Sequence, residues 1–159
     1  MGKRFKPMLA STEPVDPDEL EYPLYASPKL DGVRAVIKDG EVKQRSLKPV
    51  RNKFIQDELK DLPDGLDGEL TVGLNFHKSS GDIRREEGEP DFIYWVFDTF
   101  TDPTAAYTDR VRKLNDTPEL QAMIGELFMR AYAAVKLDEF EEFNRVISSW
   151  EREHLLLQV

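Results

Sequence analysis

The chain has 159 residues, 40% of them apolar and a third charged, with no cysteine and a net charge of −9. That length bounds the fold to one domain, or one and part of another, with enough apolar material for a packed core. Disulfides and thiolate metal sites are excluded, no run of about 18 apolar residues offers a membrane span, and the charged start from Met1 to Pro7 lacks the apolar stretch of a secretory signal.

Prolines at 7, 14, 17, 23 and 28 fix φ and make residues 1–28 irregular. Residues 24–37 read as a strand, a turn over Lys29 to Gly32, and a second strand rich in Val33, Val36 and Ile37. Asp39-Gly40 supplies a hairpin turn, and Val42 to Leu47 a returning strand. Asn52 to Leu59 has helical spacing, Pro63-Asp64-Gly65 is a turn, and Leu66 to Leu74 is a strand. Residues 77–91 are polar and loop-like with room for a short helix, and Phe92 to Phe100 is an aromatic-rich strand. Beyond Thr117-Pro118 apolar residues recur every three and four positions, which predicts two helices, 117–135 and 137–153, meeting near Lys136. The expected fold class is α+β, mainly antiparallel sheet, with a division between residues 1–116 and a helical extension over 117–159 that ends in a partial strand.

Three stretches carry candidate chemistry. Lys29-Leu-Asp-Gly-Val-Arg34 sets a lysine, an acid, a glycine and an arginine at K-x-D-G-x-R. A lysine beside another cation can lose its proton and become a nucleophile, and glycine lets a phosphate approach the backbone closely. The plain alternative is a solvated hairpin turn. Asp67-Gly68-Glu69 places a carboxylate on a strand, where Glu69 suits a ribose hydroxyl or a metal; an outward-facing glutamate is the plain alternative. In the aromatic strand Phe92, Tyr94 and Trp95 read as core or interface, and Phe97 beside Asp98 as the ring for stacking a base. The cluster Lys43, Arg45, Lys48, Arg51 and Lys53 gives the acidic chain a local basic surface suited to phosphate.

The order and spacing of these pieces resemble the covalent nucleotidyltransferases, above all the minimal viral type of ATP-dependent DNA ligase. Lys6-Pro-Met-Leu-Ala10 precedes the lysine motif, Arg45 to Asn52 and Asp67-Gly68-Glu69 follow it, and Tyr107-Thr-Asp-Arg-Val111 follows the aromatic strand, so the resemblance covers about residues 5–115. It implies the ligase and mRNA-capping fold, with Lys29 as the nucleophile that carries AMP. It further implies Ser27, Lys29, Arg34, Glu69 and Phe97 as the nucleotide-binding set, Arg45 and Arg51 as contacts to DNA phosphate, and Glu69 as a possible metal ligand. ATP and a divalent metal (Mg2+ or Mn2+) are the implied cofactors, nicked double-stranded DNA the implied partner, and lysine adenylation, AMP transfer to a 5′-phosphate and attack by a 3′-hydroxyl the implied steps. RNA ligases and capping enzymes share parts of the pattern. The absence of cysteine fits a cytoplasmic setting.

The resemblance also implies a later Glu-Gly-apolar motif whose acid binds metal, a motif with lysines that hold the α-phosphate, and an oligonucleotide-binding barrel. Glu87-Gly88-Glu89 comes too early for the first, no lysine follows Lys136, and the sequence ends in an apolar run, Leu155 to Val159. The expectation is therefore a front part of an adenylation domain that adenylates slowly or not at all alone: one completed by a second polypeptide, one truncated by an interrupted gene, or one retained as a nucleotide- or DNA-binding module.

Overall fold

The computed structural model describes residues 5–9, 16–73, 76–117, 130–131, 135–152 and 156–158. In chain order the strands are β1 (Leu24–Lys29), β2 (Val33–Lys38), β3 (Glu41–Gln44), β4 (Leu66–Thr71), β5 (Ile93–Thr99), β6 (Arg130–Ala131), β7 (Val135–Leu137) and β8 (Leu156–Gln158). The helices are α1 (Lys53–Leu59), α2 (Phe76–Arg84), α3 (Tyr107–Asn115) and α4 (Phe140–Arg152). Contacts divide the chain into two compact units, Met1–Pro7 with Asp31–Tyr132, and Met8–Leu30 with Ala133–Val159.

The larger unit is built on a five-stranded sheet in the order β3-β2-β4-β5-β6. Its first three pairings are antiparallel and β5–β6 is parallel. Alternation sends Val33, Ala35 and Ile37 of β2, Leu66 and Leu70 of β4, and Tyr94 and Val96 of β5 into one core, which Ile55 and Leu59 of α1, Ile83 and Leu114 complete. Each fully buried valine, leucine or isoleucine among them stabilises by roughly 1.5–3 kcal/mol. The β2–β3 hairpin turns at Asp39 and Gly40, both at positive φ (58° and 70°), as a two-residue hairpin requires. The Asp64 carboxylate accepts from both of their N–H groups at 2.9 Å. Asn52, fully buried, caps α1 by accepting from Ile55 N–H at 2.9 Å and donates to the Gly88 carbonyl at 3.1 Å.

The smaller unit carries a three-stranded sheet, β7-β1-β8, antiparallel throughout. Ala26 and Leu137 of the sheet pack with Phe143 and Val146 of α4, and Tyr22 meets Phe143 edge to face at 6.2 Å.

The α+β class and most strands match the sequence pattern, with three differences. β1 and β2 flank a turn but do not pair; they belong to different sheets, so Leu30–Gly32 links two sheets and is not a hairpin loop. Lys136 sits in β7, between strand partners, so the expected helix junction there is replaced by a strand. The helix expected over 117–135 falls largely outside the described residues, but Arg130–Ala131 and Val135 within it lie in strands, paired with β5 and β1, whereas α4 lies inside the expected helix 137–153 and β8 in the apolar end of the sequence. The composition changes near residue 116, but β7 and β8 return to flank β1.

Candidate functional site

Lys29 is the last residue of β1 and is exposed, with Leu156 as its partner across the ladder; Ser27, half-buried, faces Gln158. Two residues further along the chain the backbone tightens. An added Cβ at Gly32 would run into the Leu70 carbonyl oxygen and come within 2.9 Å of Thr71 Cγ2. The Gly32 N–H donates to Glu69 Oε1 at 3.1 Å. Glu69 thus holds the turn that follows the lysine, and glycine is there because β4 passes too close for any side chain.

Arg34 points across the sheet to Asp67, donating Nε–H at 2.6 Å and Nη2–H at 2.7 Å to the two carboxylate oxygens. Burial by itself lowers the Arg34 guanidinium, but the bonds and charge of Asp67 outweigh it and the net shift is upward. Burial pushes the Asp67 carboxyl up while Arg34 pulls the other way; with a bidentate guanidinium in place, we take the pair as ionised. The same guanidinium lies over the Phe97 ring, 4.5 Å from its centroid, a cation–π contact.

Phe97 owes its position to a β-bulge. Asp67 pairs with Asp98 and Gly68 with Val96, leaving Phe97 as the extra residue. The burial alternation shifts accordingly: Tyr94, Val96 and then Thr99 are buried, while Phe97 and Asp98 both stay off the core. Asp98 is gripped by Arg110 of α3, through Nε at 2.8 Å and Nη2 at 2.9 Å. Arg110 also donates to the Ala105 carbonyl at 2.6 Å, and Tyr107 Oη donates to the Phe97 carbonyl at 3.3 Å. Gly68 between the two acids makes room for β5: a Cβ there would run into the Trp95 carbonyl oxygen and come within 2.7 Å of the Tyr94 ring, whose hydroxyl reaches over to the Ala35 carbonyl at 3.1 Å.

The basic cluster separates into two kinds of cation. Lys43 is tied to Asp39 and Glu41, and Lys53 to Glu86 and Glu87. Arg45, Lys48 and Arg51 are exposed and enter no ion pair among the described residues.

No sequence family matches the chain, and no curated protein matches it by sequence. Solved structures do. The DNA ligase-adenylate of Chlorella virus superposes with a TM-score of 0.85 at 25% identity, covering 96% of this chain and 59% of that one. This chain has the fold of an ATP-dependent DNA ligase adenylation domain. A second structure of the same viral ligase-adenylate gives 0.79 at 25% identity. The bacteriophage T7 ATP-dependent DNA ligase complexed with ATP gives 0.55 at 18% identity, over 78% of this chain and 52% of that one, a likeness of fold. The chain therefore spans less than two thirds of the length of the ligases it resembles.

Within this ligase fold the larger unit brings together Arg34, Glu69 and Phe97, and the smaller unit holds Ser27 and Lys29 on one strand. From sequence alone Asp67, Tyr107 and Arg110 carry no site role, and Asp98 only that of a strand-end acid able to bind metal or fix a loop, although each sits inside a motif quoted for the resemblance. Their signal is pairing: two acids facing each other across β4 and β5, each with its own arginine. No helix among the described residues is long and apolar enough to cross a membrane. No group of three or more His, Asp or Glu among them could alone hold a metal.

Proposed function

We propose that the chain acts as the nucleotide-charging part of an ATP-dependent DNA ligase. Lys29 Nζ bonds to the α-phosphorus of ATP as the bond to pyrophosphate breaks, and its proton passes to solvent. The supporting observation is the likeness to a ligase-adenylate over nearly the whole chain, with an exposed lysine ending β1 just ahead of the tight Gly32 turn. Phe97 offers its ring to the base. Arg34 spends two N–H groups on Asp67 and keeps the rest of its five donors for a ribose or phosphate oxygen. Cations near the α-phosphate lower the repulsion that limits attack on phosphorus.

A divalent metal fits only in part. Mg2+ is usually held by one or two carboxylates together with substrate phosphates, and Glu69 is one such carboxylate. Glu153, followed by His154 and Leu155, is a second by sequence alone, with histidine in place of the expected glycine. Arg45 and Arg51, exposed on the β3–α1 connection, suit phosphates of nicked DNA.

The test is intact-mass measurement after long incubation with ATP and Mg2+ or Mn2+, beside Lys29→Ala, with ATP affinity measured in parallel. The expected result is slow gain of one AMP on Lys29, reduced by Glu153→Gln. No adduct and no ATP affinity would overturn the proposal. ATP affinity without an adduct would favour the second reading, a nucleotide- or DNA-binding module. Competition between nicked DNA and nicked RNA distinguishes a DNA ligase from an RNA ligase or capping-type enzyme.

A further inference from the structure

Phe97 lies between two acid–arginine pairs that serve different ends. Asp67 and Asp98 face each other directly across β4 and β5. Like charges in that position repel, and each is neutralised by a separate arginine, Arg34 from β2 and Arg110 from α3. Only Arg34 also touches the Phe97 ring. Arg110 is engaged elsewhere: to both oxygens of Asp98, to the Ala105 carbonyl, and over the Tyr107 ring at 5.6 Å. Its side chain is 15% exposed and that of Asp98 16%, so the pair is well shielded from competing water.

Without Arg110, Asp98 would be a carboxylate facing Asp67 with a single guanidinium nearby. That guanidinium belongs to Arg34, and sharing it between two acids would draw it off the ring. The bulge makes this sensitive, because Phe97 has no ladder partner and its carbonyl is satisfied by the Tyr107 hydroxyl.

We propose that Arg110, supported by Tyr107, is a positioning residue for the nucleotide site: by holding Asp98 it leaves Arg34 on Asp67 and over Phe97, which fixes the ring face offered to a base. This rests on the proposed role of Phe97, and the experiment separates the two. The side-chain Nε–Hε resonance of Arg34 in the full-length chain reports the ring current of Phe97, with Phe97→Leu giving its value without the ring. Arg110→Gln moves the resonance toward that value and weakens ATP binding by about threefold to tenfold, the equivalent of one aromatic stack. Arg110→Gln combined with Asp98→Asn removes the competing acid and returns both towards wild type, a rescue that loss of a purely structural clamp would not allow. Arg110→Lys keeps a charge at Asp98 and holds the resonance near wild type, which serves if the glutamine variant does not fold. An unmoved Arg34 resonance in Arg110→Gln, or failure of Asp98→Asn to restore it, overturns the proposal, as does unchanged ATP affinity where the resonance has moved. If the wild-type chain binds no ATP, the nucleotide reading falls, and with it the purpose assigned to the ring, while the resonance still decides whether Arg110 holds Arg34 in place.

Discussion

Neutralising Asp67 tests the centre of the site directly. Asp67→Asn keeps the shape of the side chain but removes its charge and at least one of two bonds to Arg34, at 2.6 and 2.7 Å. The Asp67 side chain is 8% exposed and that of Arg34 20%, so the guanidinium is left largely buried without a counter-ion. Breaking a buried pair from one side costs about 3–5 kcal/mol. The exposed fifth of Arg34 screens part of this, which places the expectation at about 3 kcal/mol. Arg34→Met exposes Asp67 to Asp98 and should cost a similar amount. The double variant leaves no stranded charge, so it should fall short of the sum by about 2 kcal/mol, a coupling typical of residues in one network. Urea unfolding followed by Trp95 fluorescence measures this within the larger unit, in a Trp150→Phe background that silences the smaller one. If Asp67→Asn lies within about 0.5 kcal/mol of wild type, or the two changes simply add, the pair does not hold the site together.

Gly32→Ala should destabilise by about 3 kcal/mol, combining overpacking against β4 with a strained Gly32–Glu69 bond, and stability within about 0.5 kcal/mol of wild type would refute the close approach. Asn52→Ala removes a buried cap and the donor to Gly88; a loss of about 2 kcal/mol in urea unfolding, with faster hydrogen exchange at the Ile55 amide, is expected. Hydrogen bonds from Lys43 and then Lys38 lower the Asp39 carboxyl to about 2. Because the folded value is depressed, its contribution to the hairpin is present above the ordinary carboxylate range and is lost as pH falls towards 2. A carboxyl-carbon NMR titration should show that midpoint, and Lys43→Met should raise it; a midpoint near 4 in the wild-type chain would contradict the ion pair.

Much of the fold was legible because its signals are local. Asp39-Gly40 has the residues a two-residue hairpin needs, Asn52 is a strong helix cap, and Val33, Ala35 and Ile37 alternate as a strand on a core must. The lysine, Asp-Gly-Glu and aromatic motifs were visible for the same reason. What the sequence could not disclose depends on residues distant along the chain. Nothing local to residues 24–37 says that β1 and β2 join different sheets, because partner choice lies with β4 for one and with β7 and β8 for the other. The bulge at Phe97 is likewise a mismatch of register between β4 and β5, invisible in either strand alone. Asp67 looked like a neighbour of Glu69; only the pairing of β2 with β4 turns it into the partner of Arg34.

Strand alternation gives each residue of Asp67-Gly68-Glu69 its own task. Gly68 lies under Tyr94, Asp67 holds Arg34, and Glu69 accepts from Gly32 N–H. An acid that looks catalytic is therefore also scaffold for the turn after Lys29, and truncating it confounds the two roles. Glu69→Gln separates them, because its amide oxygen can still accept from Gly32 while the charge is gone. If Glu69 serves only the turn, the glutamine variant keeps wild-type stability and ATP affinity, whereas Glu69→Ala loses about 1–2 kcal/mol of stability. If the charge itself meets the nucleotide or its metal, Glu69→Gln stays as stable as wild type and binds ATP–Mg2+ about tenfold more weakly, the expected loss of one charge-assisted contact. Loss of stability in Glu69→Gln equal to that in Glu69→Ala would refute both, since it would mean that the carboxylate charge, which also acts on the Arg34 guanidinium, stabilises the unit and not the acceptor offered to Gly32.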